Sequence, residues 1–196
     1  MKNSCGAIFY AFDPSGQIGI ILGEEGDDFL PFKGCNEPGE TYEQTAIREI
    51  HEETCGLINI SDIKLEHVFS TKSKIYRIGI CQVPYSIVEQ FNKSRLLESR
   101  KVFREKKELL FFPITTVLSN PRVHNISRSS IKYYWDRIIS LSENNINTTT
   151  CNSRYHGMSE NYANEIYKLT IGENPNDKYT KSFDRLYKSS LIGDIC

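Results

Sequence analysis

The chain has 196 residues, 39% of them hydrophobic and 25% charged, enough for one domain with a sizeable core and some additional chain. Its formal net charge of −1 excludes an overall attraction to nucleic acid or to an anionic membrane, so any such preference has to come from a local patch. No apolar run approaches membrane-spanning length, and the opening MKNSCGAIFYAF lacks the hydrophobic region and cleavage site of a signal peptide; a soluble cytoplasmic protein with no membrane partner is expected.

The six cysteines, Cys5, Cys35, Cys55, Cys81, Cys151 and Cys196, show no C-x-x-C spacing, which points away from a zinc site and from a disulfide framework.

Residues 5–12, CGAIFYAF, and 17–23, QIGIILG, are β-prone apolar runs joined by Asp13-Pro14-Ser15-Gly16, a turn sequence, and they predict a hairpin. A second turn at Gly26-Asp27-Asp28 leads into FLPFKG, a short strand in which Pro31 argues against a long central strand.

The stretch from Gly34 to Leu57 carries the chemistry. Thr41 and Gln44 spell a capping box, with Gly39 supplying the turn before it, and predict a helix starting there. At about 100° per residue, Glu43, Ala46, Ile47, Ile50 and Thr54 share a mostly apolar side expected to face the core. Glu49, Glu52 and Glu53 share a different side, expected to present three carboxylates. Carboxylates at i, i+3 and i+4 repel one another by a few tenths of a kcal/mol per pair, so the pattern calls for a counter-ion. A hard divalent cation fits, since Mg²⁺ is held by one or two carboxylates, waters and substrate phosphates. Arg48 can grip a carboxylate through a forked pair, and Glu40 can reach the same cluster from the loop.

After this helix, IKLEHVFS and KIYRIGICQV alternate as strands until Pro84. A helix between strand pairs, with another to follow, suits a mixed sheet covered on both faces. Residues 92–107 concentrate Lys93, Arg95, Arg100, Lys101, Arg104, Lys106 and Lys107 against Glu98 and Glu105. Such a stretch can steer a polyanionic substrate, with Arg104 a candidate contact, or can be a solvated surface. From Ser127 to Leu141, Ile131, Tyr134, Trp135, Ile138 and Leu141 recur at helical spacing; Trp135 is expected in the core and Tyr133 off the stripe, while His124 precedes the helix without an evident partner. Residues 143–158 are polar and aperiodic and are expected to be a linker. Beyond it, Tyr162, Ile166 and Leu169, then Tyr179, Phe183, Leu186 and Tyr187, form short amphipathic patterns: a helical or partly disordered extension over 159–196 that can dock, bind a partner or form a homodimer.

Gly34, Glu40, Arg48, Glu49, Glu52 and Glu53 match G-x5-E-x7-R-E-U-x-E-E, with U aliphatic; at average composition this coincides by chance in roughly one in ten million windows. The pattern resembles the signature of the Nudix hydrolases. The resemblance implies an α/β/α sandwich over residues 1–142 and a pyrophosphohydrolase using Mg²⁺ or Mn²⁺ and an attacking water. By position it makes Glu49, Glu52 and Glu53 metal ligands, with Glu40 assisting and Arg48 orienting a glutamate; Glu52, Glu53 and Arg48 are also the candidate catalytic residues. The family usually has Gly two residues after the last Glu. Cys55 stands there, so the helix is expected to run one residue longer, to a cap at Gly56. P-F-K-G-C-N-E-P-G-E is similar to variants in Nudix enzymes acting on mRNA caps, diadenosine polyphosphates or diphosphoinositol polyphosphates, which makes Lys33 and Gly34 candidate substrate contacts. EKKELLFFPITTVL resembles the family's late strand, preceded by a loop that in several members supplies a further glutamate; Glu105 fits best and Glu108 second. The expected partner is a capped RNA or another phosphate-rich small molecule. A catalytically silent Nudix-fold binding module is the rival from another class.

Overall fold

The computed structural model describes residues 2–97 and 105–149. Arg100, Lys101, Arg104, Cys151 and Cys196, and the amphipathic patterns of the C-terminal extension with any homodimer contact they make, lie outside the described residues.

The expected hairpin is β1 (Lys2–Phe12) and β2 (Ile18–Glu25), antiparallel with Phe9 opposite Ile21. Its turn is closed by Asp13, whose Oδ1 accepts from the backbone N–H groups of Ser15 and Gln17, each at 2.9 Å, and Gly16 takes φ 84°. Pro31 splits the next segment into β3 (Asp28–Leu30), paired to β2, and β4 (Phe32–Cys35), paired to β1. Helix α1 (Tyr42–Glu53) follows, then β5 (His67–Ser70) and β6 (Lys74–Gln82). The strand expected from Ile63 starts only at His67. Helix α2 (Ile87–Leu97), β7 (Leu109–Pro113) and helix α3 (Asn125–Thr149) complete the order.

The seven strands form one mixed sheet. Strand β1 is its axis: β6 runs parallel along one edge, and the other edge is divided between β4, at residues 4–7, and β2, at residues 9–12. Because β1 is covered on both faces, it is apolar without alternation, and its period of two sorts side chains between two cores. Ile8 and Tyr10 join Ile131, Tyr134, Trp135 and Ile138 of α3, whereas Cys5, Ala7, Phe9 and Ala11 join Ala46 and Ile50 of α1 and Phe91 of α2. The result is the expected α/β/α sandwich.

Helix α3 differs from expectation at both ends. It starts at Asn125, where His124 Nδ1 accepts from the Ile126 N–H at 3.1 Å, so the histidine does have a partner. It continues to Thr149, so residues 143–149 of the expected linker are helical. Tyr133 lies off the stripe, half exposed, its ring stacked on His67. The four cysteines among the described residues, Cys5, Cys35, Cys55 and Cys81, are free thiols. No helix among the described residues is long and apolar enough to cross a membrane.

Candidate active site

Both ends of α1 are fixed by local hydrogen bonds. Thr41 Oγ1 accepts from the Gln44 N–H at 3.2 Å and Gln44 Oε1 accepts from the Thr41 N–H at 2.8 Å, the reciprocal capping box. At the other end, the N–H of Gly56 donates to His51 O at 2.7 Å and that of Cys55 to Glu52 O at 3.1 Å, a Schellman closure. The helix is therefore not extended: it stops at Glu53, and Cys55 itself takes the left-handed conformation, φ 54°, that glycine ordinarily supplies.

The acidic residues do not lie on an open surface. Glu43, expected on the core side, is exposed, while Glu49 and Glu53 are buried at 8% and 2% exposure, turned toward β4. Gly34 explains how Glu49 fits, because a Cβ there would lie 2.0 Å from the Glu49 carboxyl carbon. Expected as a substrate contact, Gly34 serves here as the space into which a carboxylate packs.

Arg48 gathers the remaining acids. Its Nε and Nη2 hold the two oxygens of Glu40 at 2.7 and 3.1 Å, a fork on a carboxylate. Its Nη1 donates to Glu49 Oε1 at 2.7 Å and Glu52 Oε2 at 3.1 Å, and Nη2 also reaches Cys35 O at 3.0 Å. These hydrogen bonds from Arg48, helped by the Glu37 N–H and the Thr45 hydroxyl, hold Glu40 down to about 2. Burial pushes Glu49 up against the opposing pull of Arg48.

Glu53 sits deeper. Its Oε2 accepts from the Lys33 N–H at 2.8 Å; its Oε1 is buried with no hydrogen-bond partner, 3.4 Å from Lys106 Nζ. Burial raises Glu53 to about 7 in spite of Lys106 and Lys33. Lys106, read from the sequence as part of a solvated or steering surface, is completely buried and donates to Glu25 Oε2 at 2.6 Å. Lys33, expected to face substrate, has its ammonium 3.7 Å from the same Glu25 oxygen. Burial alone would raise Glu25, but Lys106 and Lys33 together hold it below the usual carboxylate range. Sequence reasoning missed Glu25 as a site residue. It ends a strand as half of Glu24-Glu25 and forms no pattern with anything nearby.

Of the two loop candidates, Glu105 is exposed on the segment before β7 and its charge is felt at Glu49, whereas Glu108 is half-buried and its carbonyl is bonded to Glu24 N at 2.9 Å. A polar cavity lined by Lys2, Asn3, Cys35 and Asn36 opens beside the Arg48 cluster.

Among the described residues no three His, Cys, Asp or Glu side chains already converge as a metal cage, because Arg48 and Lys106 stand between the carboxylates. The donor set nevertheless fits a hard divalent ion. Glu25, Glu40, Glu49, Glu52 and Glu53 face Arg48, Lys33 and Lys106, five acids to three bases. All the side-chain donors are oxygens, as Mg²⁺ and Mn²⁺ prefer, and Glu53 Oε1 is a buried acceptor that receives no hydrogen bond.

By sequence, no family model matches the chain and no curated protein matches it. By structure it is similar to a mutT/nudix family protein from Listeria innocua, at 20% identity over 71% of this chain and 96% of that one, with a TM-score of 0.53. It is also similar to a MutT/nudix family protein from Enterococcus faecalis, at 12% identity over 96% of this chain and 80% of that one, with a TM-score of 0.52. A C. elegans Ap4A hydrolase aligns at 16% identity over 69% of this chain and 96% of that one, with a TM-score of 0.49. The first two likenesses show the architecture of this chain to be the Nudix fold.

Proposed function

We propose that this protein is a divalent-metal-dependent pyrophosphohydrolase of the Nudix type, cleaving a diphosphate linkage in a nucleoside diphosphate derivative, a capped RNA being the favoured case. The observation that carries the reading is the convergence of Glu40, Glu49 and Glu52 on one guanidinium, Arg48, with the buried Glu53 on the same helix. A solvated helix surface has no need to bury two of its glutamates or to bind three acids to one arginine.

Glu49, Glu52 and Glu53 are the residues that would hold Mg²⁺ or Mn²⁺, with Glu40 assisting; such an ion supplies phosphoryl polarisation and a water of lowered pKa. Arg48 keeps three carboxylates in one orientation, so little reorganisation is left for the reaction itself. Glu105 takes the proton of the attacking water as its oxygen bonds to phosphorus, and the bridging oxygen leaves with the electron pair of the broken P–O bond. The cavity at Lys2 and Asn36, beside the Arg48 cluster, is the candidate place for a substrate phosphate.

Glu52→Gln and Glu53→Gln should each remove turnover with folding retained; full turnover in both refutes the reading. Salt dependence then separates substrate classes. A capped RNA should show a steep log–log slope of affinity against salt, set by several phosphate contacts, and a dinucleoside polyphosphate or diphosphoinositol polyphosphate a shallower one.

A further inference from the structure

The buried group without a role in this chemistry is Lys106. A fully buried lysine is rare unless paired, and here its backbone is held by hydrogen bonds at the peptide that follows it. Arg95 Nε donates to the Lys106 carbonyl at 2.9 Å, and the neighbouring Lys107 N–H donates to Glu24 O at 2.8 Å. Gly23 gives the stem its path, since a Cβ there would lie 2.6 Å from Lys106 Cδ. The ammonium is thus delivered to a fixed point. It donates to Glu25 Oε2 at 2.6 Å and to Pro31 O at 3.2 Å, and faces Glu53 Oε1 at 3.4 Å without completing a hydrogen bond. Two carboxylates from distant parts of the chain, one of them 2% exposed, meet across one cation.

We propose that Lys106 is a resident cation at the Glu25–Glu53 carboxylate pair, holding a position that a divalent ion would otherwise take and so setting how tightly such an ion is held at Glu53. This rests on reading Glu53 as a metal ligand. The physical argument is that an ammonium and a divalent ion a few ångströms apart in a partly buried site repel each other far more than in bulk water. Taking the ammonium away leaves Glu53 Oε1 with no cation in contact and Glu25 with Lys33 alone, at 3.7 Å, and an acid left without its cation is costly in a buried position. A divalent ion entering there then meets no ammonium and offsets that cost.

The test is Mn²⁺ binding to the metal-free full chain, by calorimetry and by the Mn²⁺-dependent rise in Tm. Lys106→Ala should bind Mn²⁺ at least about tenfold more tightly than wild type, or take up one additional ion. Lys106→Arg should bind as wild type does. Lys107→Ala removes the same charge from an exposed neighbour whose ammonium donates to Gly26 O at 2.7 Å, and should leave the affinity unchanged. Glu25→Gln, which leaves the ammonium to Glu53 alone, should weaken Mn²⁺ binding and provides a measurement if Lys106→Ala does not fold. Unchanged or weaker binding in Lys106→Ala, or unchanged or tighter binding in Glu25→Gln, overturns the inference. Hydrolysis is scored separately. Turnover by wild type with no Mn²⁺ shift in the variants refutes the role of Lys106 alone, whereas the shift without turnover by wild type refutes the proposed function alone.

Discussion

The two faces of the sheet are built from different materials. Under α3, Ile131, Tyr134, Trp135 and Ile138 meet Ile8, Ile20 and Ile78 in a continuous apolar layer, and the Tyr134 hydroxyl is satisfied by Ile78 O at 2.8 Å. Under α1 an apolar layer is also present, with Ala46 and Ile50 against Ala7, Phe9 and Phe32, but it shares the face with Glu49, Glu53 and the buried end of Lys106. Burying charges costs several kcal/mol per ion before pairing offsets it, so the α1 face is the expensive one. The difference teaches a division of labour: the α3 face supplies stability that lets the α1 face hold an ionic site.

That contrast can be broken first at Trp135. Trp135→Ala should lower stability by about 3–5 kcal/mol, read from denaturant unfolding, while turnover per folded molecule stays near that of wild type. A large loss of turnover with little loss of stability would reverse the assignment of the two faces.

Gly34→Ala makes the opposite trade. The new methyl would meet the Glu49 carboxylate, the movable end of a side chain, so the fold should persist while the carboxylate is displaced. A displacement of about 1 Å can cost roughly a hundredfold in rate. Kinetics beside thermal unfolding would check this, and wild-type turnover would contradict it.

The ionic face should also be visible in pH dependence. Glu53 is raised to about 7 from an ordinary value near 4.5. Between those values the unfolded chain has released this proton and the folded chain retains it, so stability falls as pH rises through the window. Metal-free wild type should therefore lose Tm from about pH 5 to about pH 7 more steeply than Glu53→Gln does. Saturating Mn²⁺ should flatten the slope, because an ion on Glu53 replaces the proton.

The smallest effect is at the helix end. Cys55 holds φ 54° with a side chain that disfavours it, so Cys55→Gly should stabilise the protein by about 0.5–1 kcal/mol. Unchanged or lowered stability would mean that the thiol makes packing contacts worth the strain.

What the sequence made legible was local. The Asp13–Gly16 turn, the Thr41–Gln44 cap and the break at Pro31 each depend on residues within a few positions of one another, and each is present. The acidic residues of α1 were legible as a cluster but not as a buried one, since helical periodicity does not say that a strand ending in Gly34 lies against the carboxylates. The pairing of Lys106 with Glu25 spans 81 positions, and neither residue differs in local pattern from the like-charged residue beside it, so nothing in the sequence selects it. The polar composition of residues 143–149 read as linker, yet the run has no Gly or Pro to stop a helix already under way.

The central claim, a metal-assisted hydrolase built on Arg48 and its carboxylates, is tested most directly by product analysis. Purified protein would be incubated with Mg²⁺ or Mn²⁺ and cap-labelled RNA, diadenosine polyphosphates, a diphosphoinositol polyphosphate and nucleotide sugars, beside Glu53→Gln. The account predicts cleavage at a diphosphate linkage in at least one substrate, abolished by chelation and by Glu53→Gln. No cleavage across the panel, or cleavage that Glu53→Gln leaves intact, would contradict it.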